Sequence, residues 1–175
     1  CYESYGIEDC VVLAKEVVQW DWSAKIRPVL AYIESRQCNS DYILATDSDD
    51  VLMVSNPVNV VSLFESCSCD ILFCNTFLNW PSHKEYGEFE SSRYYTHQFH
   101  SHLSAGAYVG RRHALMEFLR EILSAFEEKS QWAMDGGAFN DQLAWKHLHY
   151  KYYPRIKVDF KSVIFKRYDL FMDYP

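Results

Sequence analysis

Four consecutive residues, Asp47-Ser48-Asp49-Asp50, place up to three carboxylates within one short stretch of chain. Like charges packed so closely repel, and a folded protein tolerates them only when something positive shares the site. A divalent cation does this best. Hard oxygen ligands suit Mn²⁺ or Mg²⁺, ions that keep coordination positions for water or phosphate oxygens. Such an ion can bridge the two phosphates of a nucleotide diphosphate and neutralise the charge that develops as the diphosphate leaves. The plainer alternative is an acidic turn that only caps a strand.

The surrounding sequence says which elements would position these acids. Tyr42-Ile43-Leu44-Ala45-Thr46 is a continuous apolar run that reads as a buried strand, so the acids stand at its carboxyl end. In open α/β sheets that is where ligands collect. Val11 to Ala14 reads as another short buried strand, and Ala24 to Ser35 as a helix with Ser23 as its candidate cap and Pro28 near its regular start. Asn56-Pro57 signals a further helix start, with Val60, Val61, Leu63 and Phe64 on one face. Ile71 to Cys74 is a strand, and 75–104, rich in His, Tyr, Ser and Trp, reads as a long functional loop. Ala105 to Gly110 resumes as a strand, Arg112 to Phe126 is a clear helix, and a second helix is expected from near Ala138 to His149 after the flexible Gly136-Gly137 pair. Ile156 to Val158 and Ser162 to Phe165 close the chain as strands. No repeat or linker marks a second domain, so residues 1–175 are read as one α/β unit.

Bulk properties narrow the function. A net charge of −7 argues against nucleic-acid binding, which needs an excess of Lys and Arg on at least one face. The exception is local: seven Lys/Arg against the single acid Asp159 between Lys146 and Arg167, either a solvated face or a wall of a phosphate cleft on which Lys161 or Lys166 meets a diphosphate. The six cysteines show no zinc spacing and read as buried thiols, an even count that also permits disulfides in an oxidising compartment. His97, His100 and His102 raise a transition-metal site, but their spacing fits no strong signature. No apolar run reaches the length of a transmembrane segment.

Five ordered blocks run along the chain: Lys25-Ile26 with Val29-Leu30 leading to Asp47 through Leu52; Ile71 to Cys74 with Leu78-Asn79-Trp80-Pro81; His102 to Gly110; Asn140-Asp141-Gln142-Leu143; and Val158 to Lys161 with Ile164-Phe165. In these blocks the sequence resembles the N-terminal glycosyltransferase domain of procollagen lysyl hydroxylases and related collagen glycosyltransferases. The resemblance implies a GT-A fold, the Rossmann-like mixed sheet flanked by helices of nucleotide-diphospho-sugar transferases. It implies a metal-dependent transfer of sugar from a UDP-sugar to a protein or glycan hydroxyl, such as hydroxylysine or glycosyl-hydroxylysine, in the secretory pathway or ER lumen. Mn²⁺ or Mg²⁺ would be held by Asp47 with Asp50, as the family aligns, or with Asp49, as the general GT-A pattern has it. Ser48, Ser104, Ala105 and Gly106 would receive the donor, the last three as a small-residue floor, unless they only pack a strand.

Trp80 and Gln142 would face the sugar or acceptor, and Asp141 would contact the acceptor or act as base. The plainer roles are a packing Trp and, for Asp141, an acid favoured by a helix N-terminus. The resemblance further implies that the domain's first strand and its C-terminal end, with a late metal-binding His, lie outside these residues; His147 and His149 fall too early to replace it. Two alternatives come from other classes: a non-catalytic binding or scaffolding domain on the same fold, and a metal-dependent phosphohydrolase built on a similar acidic strand end.

Overall fold

The computed structural model describes residues 10–13, 21–47, 51–54, 56–94 and 101–166. Helix α1 (Ser23–Glu34) leads to strand β1 (Tyr42–Thr46); a 3-10 turn (Pro57–Asn59) runs into α2 (Val60–Ser66), followed by β2 (Ile71–Thr76). Then come α3 (Lys84–Tyr94), β3 (His102–Arg111), α4 (Arg112–Glu127), the short strands β4 (Met134–Asp135) and β5 (Ala138–Phe139), α5 (Asp141–Tyr152) and β6 (Ile156–Val158). The main sheet has the order β1-β3-β2-β6. Strand β3 is antiparallel to both neighbours, while β6 is parallel to β2, so the sheet is mixed with β3 alone reversed. No helix among the described residues is long and apolar enough to cross a membrane.

Alternation along β2 explains why its run is apolar throughout. Ile71 and Phe73 enter the larger core with Ile26, Leu30 and Ile33 of α1 and the inner faces of α4 and α5. Leu72 and Cys74 point the other way, to Phe64 of α2 and Phe165. A strand covered on both faces needs no polar side, and β2 is buried along its whole length. The anchor of the larger core is α4, whose Leu115, Phe118, Leu119 and Ile122 are fully buried; each contributes roughly 1.5–3 kcal/mol by leaving water.

Several expectations change. Strand β1 is half exposed, with Leu44 at 37%, because among the described residues β3 is its one strand neighbour. Residues 10–13 form no strand, and Val11 and Val12 are exposed; four apolar residues do not make a strand without a partner. Helix α1 begins ahead of Pro28, and its amide acceptor is Asp21, whose carboxylate takes the Ser23 N–H at 2.7 Å, with Ser23 itself inside the helix. Asn56 does cap the next helix, accepting from Val58 N at 3.0 Å, but Val61 and Leu63 stay exposed and only Phe64 is buried.

The expected long loop contains α3. Its inward stripe is Tyr86, Gly87 and Glu90, and a stripe with a glycine and a charge in it carries no hydrophobic periodicity to read. Gly136 and Gly137, at φ +58° and +86°, form the two-residue turn of the β4–β5 hairpin, so α5 starts at Asp141. Cys38 and Cys69 are buried free thiols, as expected, and burial pushes Cys69 up to about 12.

Residues 162–165 are not a strand. The buried Asp159 carboxylate instead accepts the N–H groups of Val163, Ile164 and Phe165 at 2.9, 2.7 and 2.9 Å, gathering them into a turn. Losing such an acceptor leaves three donors to find new partners at once. Asp159→Ala is therefore expected to cost roughly 2–4 kcal/mol, read as a lower denaturation midpoint in urea at unchanged slope.

Candidate active site

The candidate site lies where β1 ends against the middle of β3. After Thr46 pairs with Ala107, the Asp47 N–H donates to the Gly106 carbonyl at 2.7 Å. On its other side β3 breaks register with β2: Phe73 faces Tyr108, yet Cys74 faces Ser104, so Ala105, Gly106 and Ala107 have no partner across that pair. This bulge falls on the small-residue segment. A Cβ at Gly106 would stand 3.3 Å from Asp47 Oδ2, so the glycine leaves that carboxylate its room.

The bulge also frees the Ala105 N–H, which donates to Gln142 Oε1 at 3.2 Å. The other end of the same amide, Nε2, donates to the Trp80 carbonyl. Gln142 therefore staples the small-residue segment of β3 to the loop carrying Trp80, and the backbone engages both ends of its amide. The Trp80 ring is 47% exposed and lies 6.2 Å from that of Trp22, centroid to centroid. Lys25 Nζ stands 5.7 Å from the Trp22 ring centroid and 2.9 Å from Asp47 Oδ2.

Asp141 occupies the first turn of α5, which Asn140 caps through Leu143 N at 3.0 Å. Its side of the helix is buried, and the residue is only 3% exposed. Burial pushes its carboxyl up to about 6, with Asp47 adding to the rise while Lys25 and the backbone N–H of Gln142 pull against it. The Tyr108 phenol is raised as well, by burial first and then by Asp141 and Asp47. Asp47, Lys25, Asp141 and Tyr108 thus share one electrostatic neighbourhood.

No family model and no curated protein matches this chain.

The structure brings together Asp47, Gly106, Ala105, Gln142, Trp80 and Asp141, with Ser104 buried beside them on β3. Ser48, Asp49 and Asp50 lie outside the described residues, as do His97 and His100. Asp47 fits a divalent cation in kind: it is a hard oxygen donor, partly exposed at a strand end, and its carboxylate already draws a positive partner. Among the described residues no group of three His, Cys, Asp or Glu could hold a metal. His102 is committed to Glu90 at 2.8 Å, and His147 stacks on Trp132.

The basic C-terminal run is mostly spent on the protein itself. Lys151 pairs with Glu121, Arg155 with Asp70 and Glu117, buried Lys146 with Glu90, and Lys157 donates to the Cys67 carbonyl. Lys161 lies over the Phe160 ring. A cation does stand beside Asp47: it is Lys25, on α1, and neither it nor Trp22 carried a site role in the sequence. The signal was present in the spacing: Trp22, Lys25 and Ile26 lie within one helical turn, so a helix that buries Ile26 brings Lys25 and Trp22 alongside its packed face.

Proposed function

We propose that this chain is a metal-dependent glycosyltransferase of the GT-A type, transferring a sugar from a UDP-sugar to a hydroxyl acceptor. The observation that carries the reading is the gathering of Asp47, Gly106, Trp80 and Asp141, remote in sequence, around one strand end where a buried carboxyl keeps its pKa near 6. A general base works best when its pKa lies near the working pH. In this reading the Asp141 carboxylate takes the acceptor's hydroxyl proton as the oxygen bonds to the anomeric carbon. The bond from that carbon to the diphosphate breaks, and UDP leaves with the electron pair. Asp47, with Asp49 and Asp50, would hold Mn²⁺ or Mg²⁺, which supplies charge neutralisation at the diphosphate when bound. The mixed sheet with helices on both faces agrees with this architecture and with other α/β folds alike.

Asp47→Ala is the test. The Lys25–Asp47 pair is partly exposed and contributes little to stability, so the variant should fold as before. Metal-dependent UDP-sugar hydrolysis or transfer should disappear; unchanged turnover sinks the assignment. The Lys25 ammonium on Asp47 favours one other reading, a non-catalytic domain in which lysine does the work of the metal. Calorimetry with UDP and Mn²⁺ separates the two, since a scaffold gives no heat of binding.

A further inference from the structure

Away from the carboxylates lies a buried charged cluster that the proposed chemistry does not use. Glu90 of α3 and Lys146 of α5 are each 1% exposed, with Lys146 Nζ 3.3 Å from Glu90 Oε2. Burying such a pair gives little net stability, because desolvation cancels most of the attraction. Its geometry points to another use. Lys146 Nζ also donates to Asn79 Oδ1 at 2.5 Å, and Asn79 immediately precedes Trp80.

A second feature of the same seat is independent of the charges. Gly87 stands inside α3, where glycine costs a helix stability relative to alanine. A Cβ built at Gly87 would lie 2.9 Å from Asn79 Cγ and nearer still to its Nδ2. The glycine is therefore the space into which the Asn79 amide fits, with the α3 backbone on one side and Lys146 on the other. Trp80 is then held from both directions, by Asn79 before it and by the Gln142 amide on its own carbonyl.

We propose that Asn79, seated by Gly87 and the buried Lys146–Glu90 pair, is a positioning residue that fixes Trp80 at the edge of the candidate site and so sets how the acceptor is received. The role in acceptor binding rests on the proposed function; the seat itself does not.

The test is a double-mutant cycle on the full chain, read by thermal denaturation and by ¹⁹F NMR of protein labelled with 5-fluorotryptophan, the Trp80 line being assigned by its loss in Trp80→Phe. Gly87→Ala should lower Tm in the native background by several degrees. In the Asn79→Ala background the same change should raise Tm by about 2–4 °C, because only the helix preference for alanine remains. The Trp80 line should move in Gly87→Ala and in Asn79→Ala and return in Asn79→Asp, which keeps an acceptor for Lys146. The line of Trp145, packed in the core against Phe73, should stay in place in all three.

Equal Tm losses in both backgrounds, or an unmoved Trp80 line, overturns the proposal. In the active enzyme, Gly87→Ala should raise the acceptor KM about tenfold with kcat little changed, the pattern of lost uniform binding; an unchanged KM overturns the acceptor role. Intact turnover in Asp47→Ala counts against the glycosyltransferase reading alone and leaves the Tm and ¹⁹F arms unaffected.

Discussion

Exchanging Glu90 for glutamine is expected to cost the domain about 3–5 kcal/mol at neutral pH, a large share of what holds a single domain folded. The carboxylate is a hub: it accepts the Leu103 N–H at 3.1 Å, meets His102 Nδ1 at 2.8 Å and Lys146 Nζ at 3.3 Å, and has His149 Nδ1 at 3.7 Å. Burial alone would raise its pKa, but the hydrogen bond with His102, the nearby His149 ring and the Lys146 charge outweigh burial and hold it down near 2. Glutamine keeps the shape and the Leu103 bond while leaving the Lys146 ammonium buried without its counter-charge. Because the folded pKa lies below the ordinary 4.5, the stabilisation is complete above about pH 4.5 and fades as pH falls toward 2. Urea titrations at pH 7 and pH 3 should therefore show the two proteins converging in acid. A loss under about 1 kcal/mol at pH 7 would show that the pair is not buried as described. Adding Lys146→Met to the glutamine variant should recover part of the loss.

Asp141→Asn should do the opposite to stability and much worse to activity. The folded carboxyl, near 6 against an ordinary 3.8, holds its proton to higher pH than the unfolded chain does. Stability therefore falls as pH rises from about 4 to 6 and stays reduced above, by about 3 kcal/mol for a shift of roughly two units. Asparagine cannot ionise, so the variant should be the more stable protein at pH 8 by up to that amount and no different at pH 3. Under the proposed function its turnover should drop about 10²–10⁴-fold. A variant neither stabilised at pH 8 nor slowed would remove Asp141 from the site.

What could be read from the chain tracks how much each element depends on partners remote in sequence. Strand β2 and helix α4 declare themselves, because residues such as Phe73, Phe118 and Ile122 are apolar at the spacing of their own element. Helix α3 does not, since its inward residues earn their burial from Asn79 and Lys146, groups that only the folded chain supplies. Residues 162–165 carry strand-forming types, yet the Asp159 carboxylate offers their N–H groups a nearer acceptor than any strand. At the site, Asp47, Gly106 and Asp141 were legible as residue types that do chemistry at strand and helix ends. That they share one site was legible only through the family resemblance, because the approach of residues 47 and 141 is a property of topology. Lys25 and Trp22 stayed hidden for a simpler reason: a lysine and a tryptophan at the start of a helix look like any amphipathic surface.

The break in register between Phe73 and Cys74 decides where the surroundings of Asp47 can vary. On either side of it the sheet is locked, since a slip of one residue would turn a core side chain outward. Within it, Ala105, Gly106 and Ala107 have no register partner on β2, yet Ala105 and Ala107 still pack into the two cores. A larger side chain at either would press on that packing, whereas one at Gly106 would meet the Asp47 carboxylate first. Gly106 is therefore the single position of the bulge at which selection, or an engineer, could reshape the surroundings of Asp47 without disturbing how the chain folds.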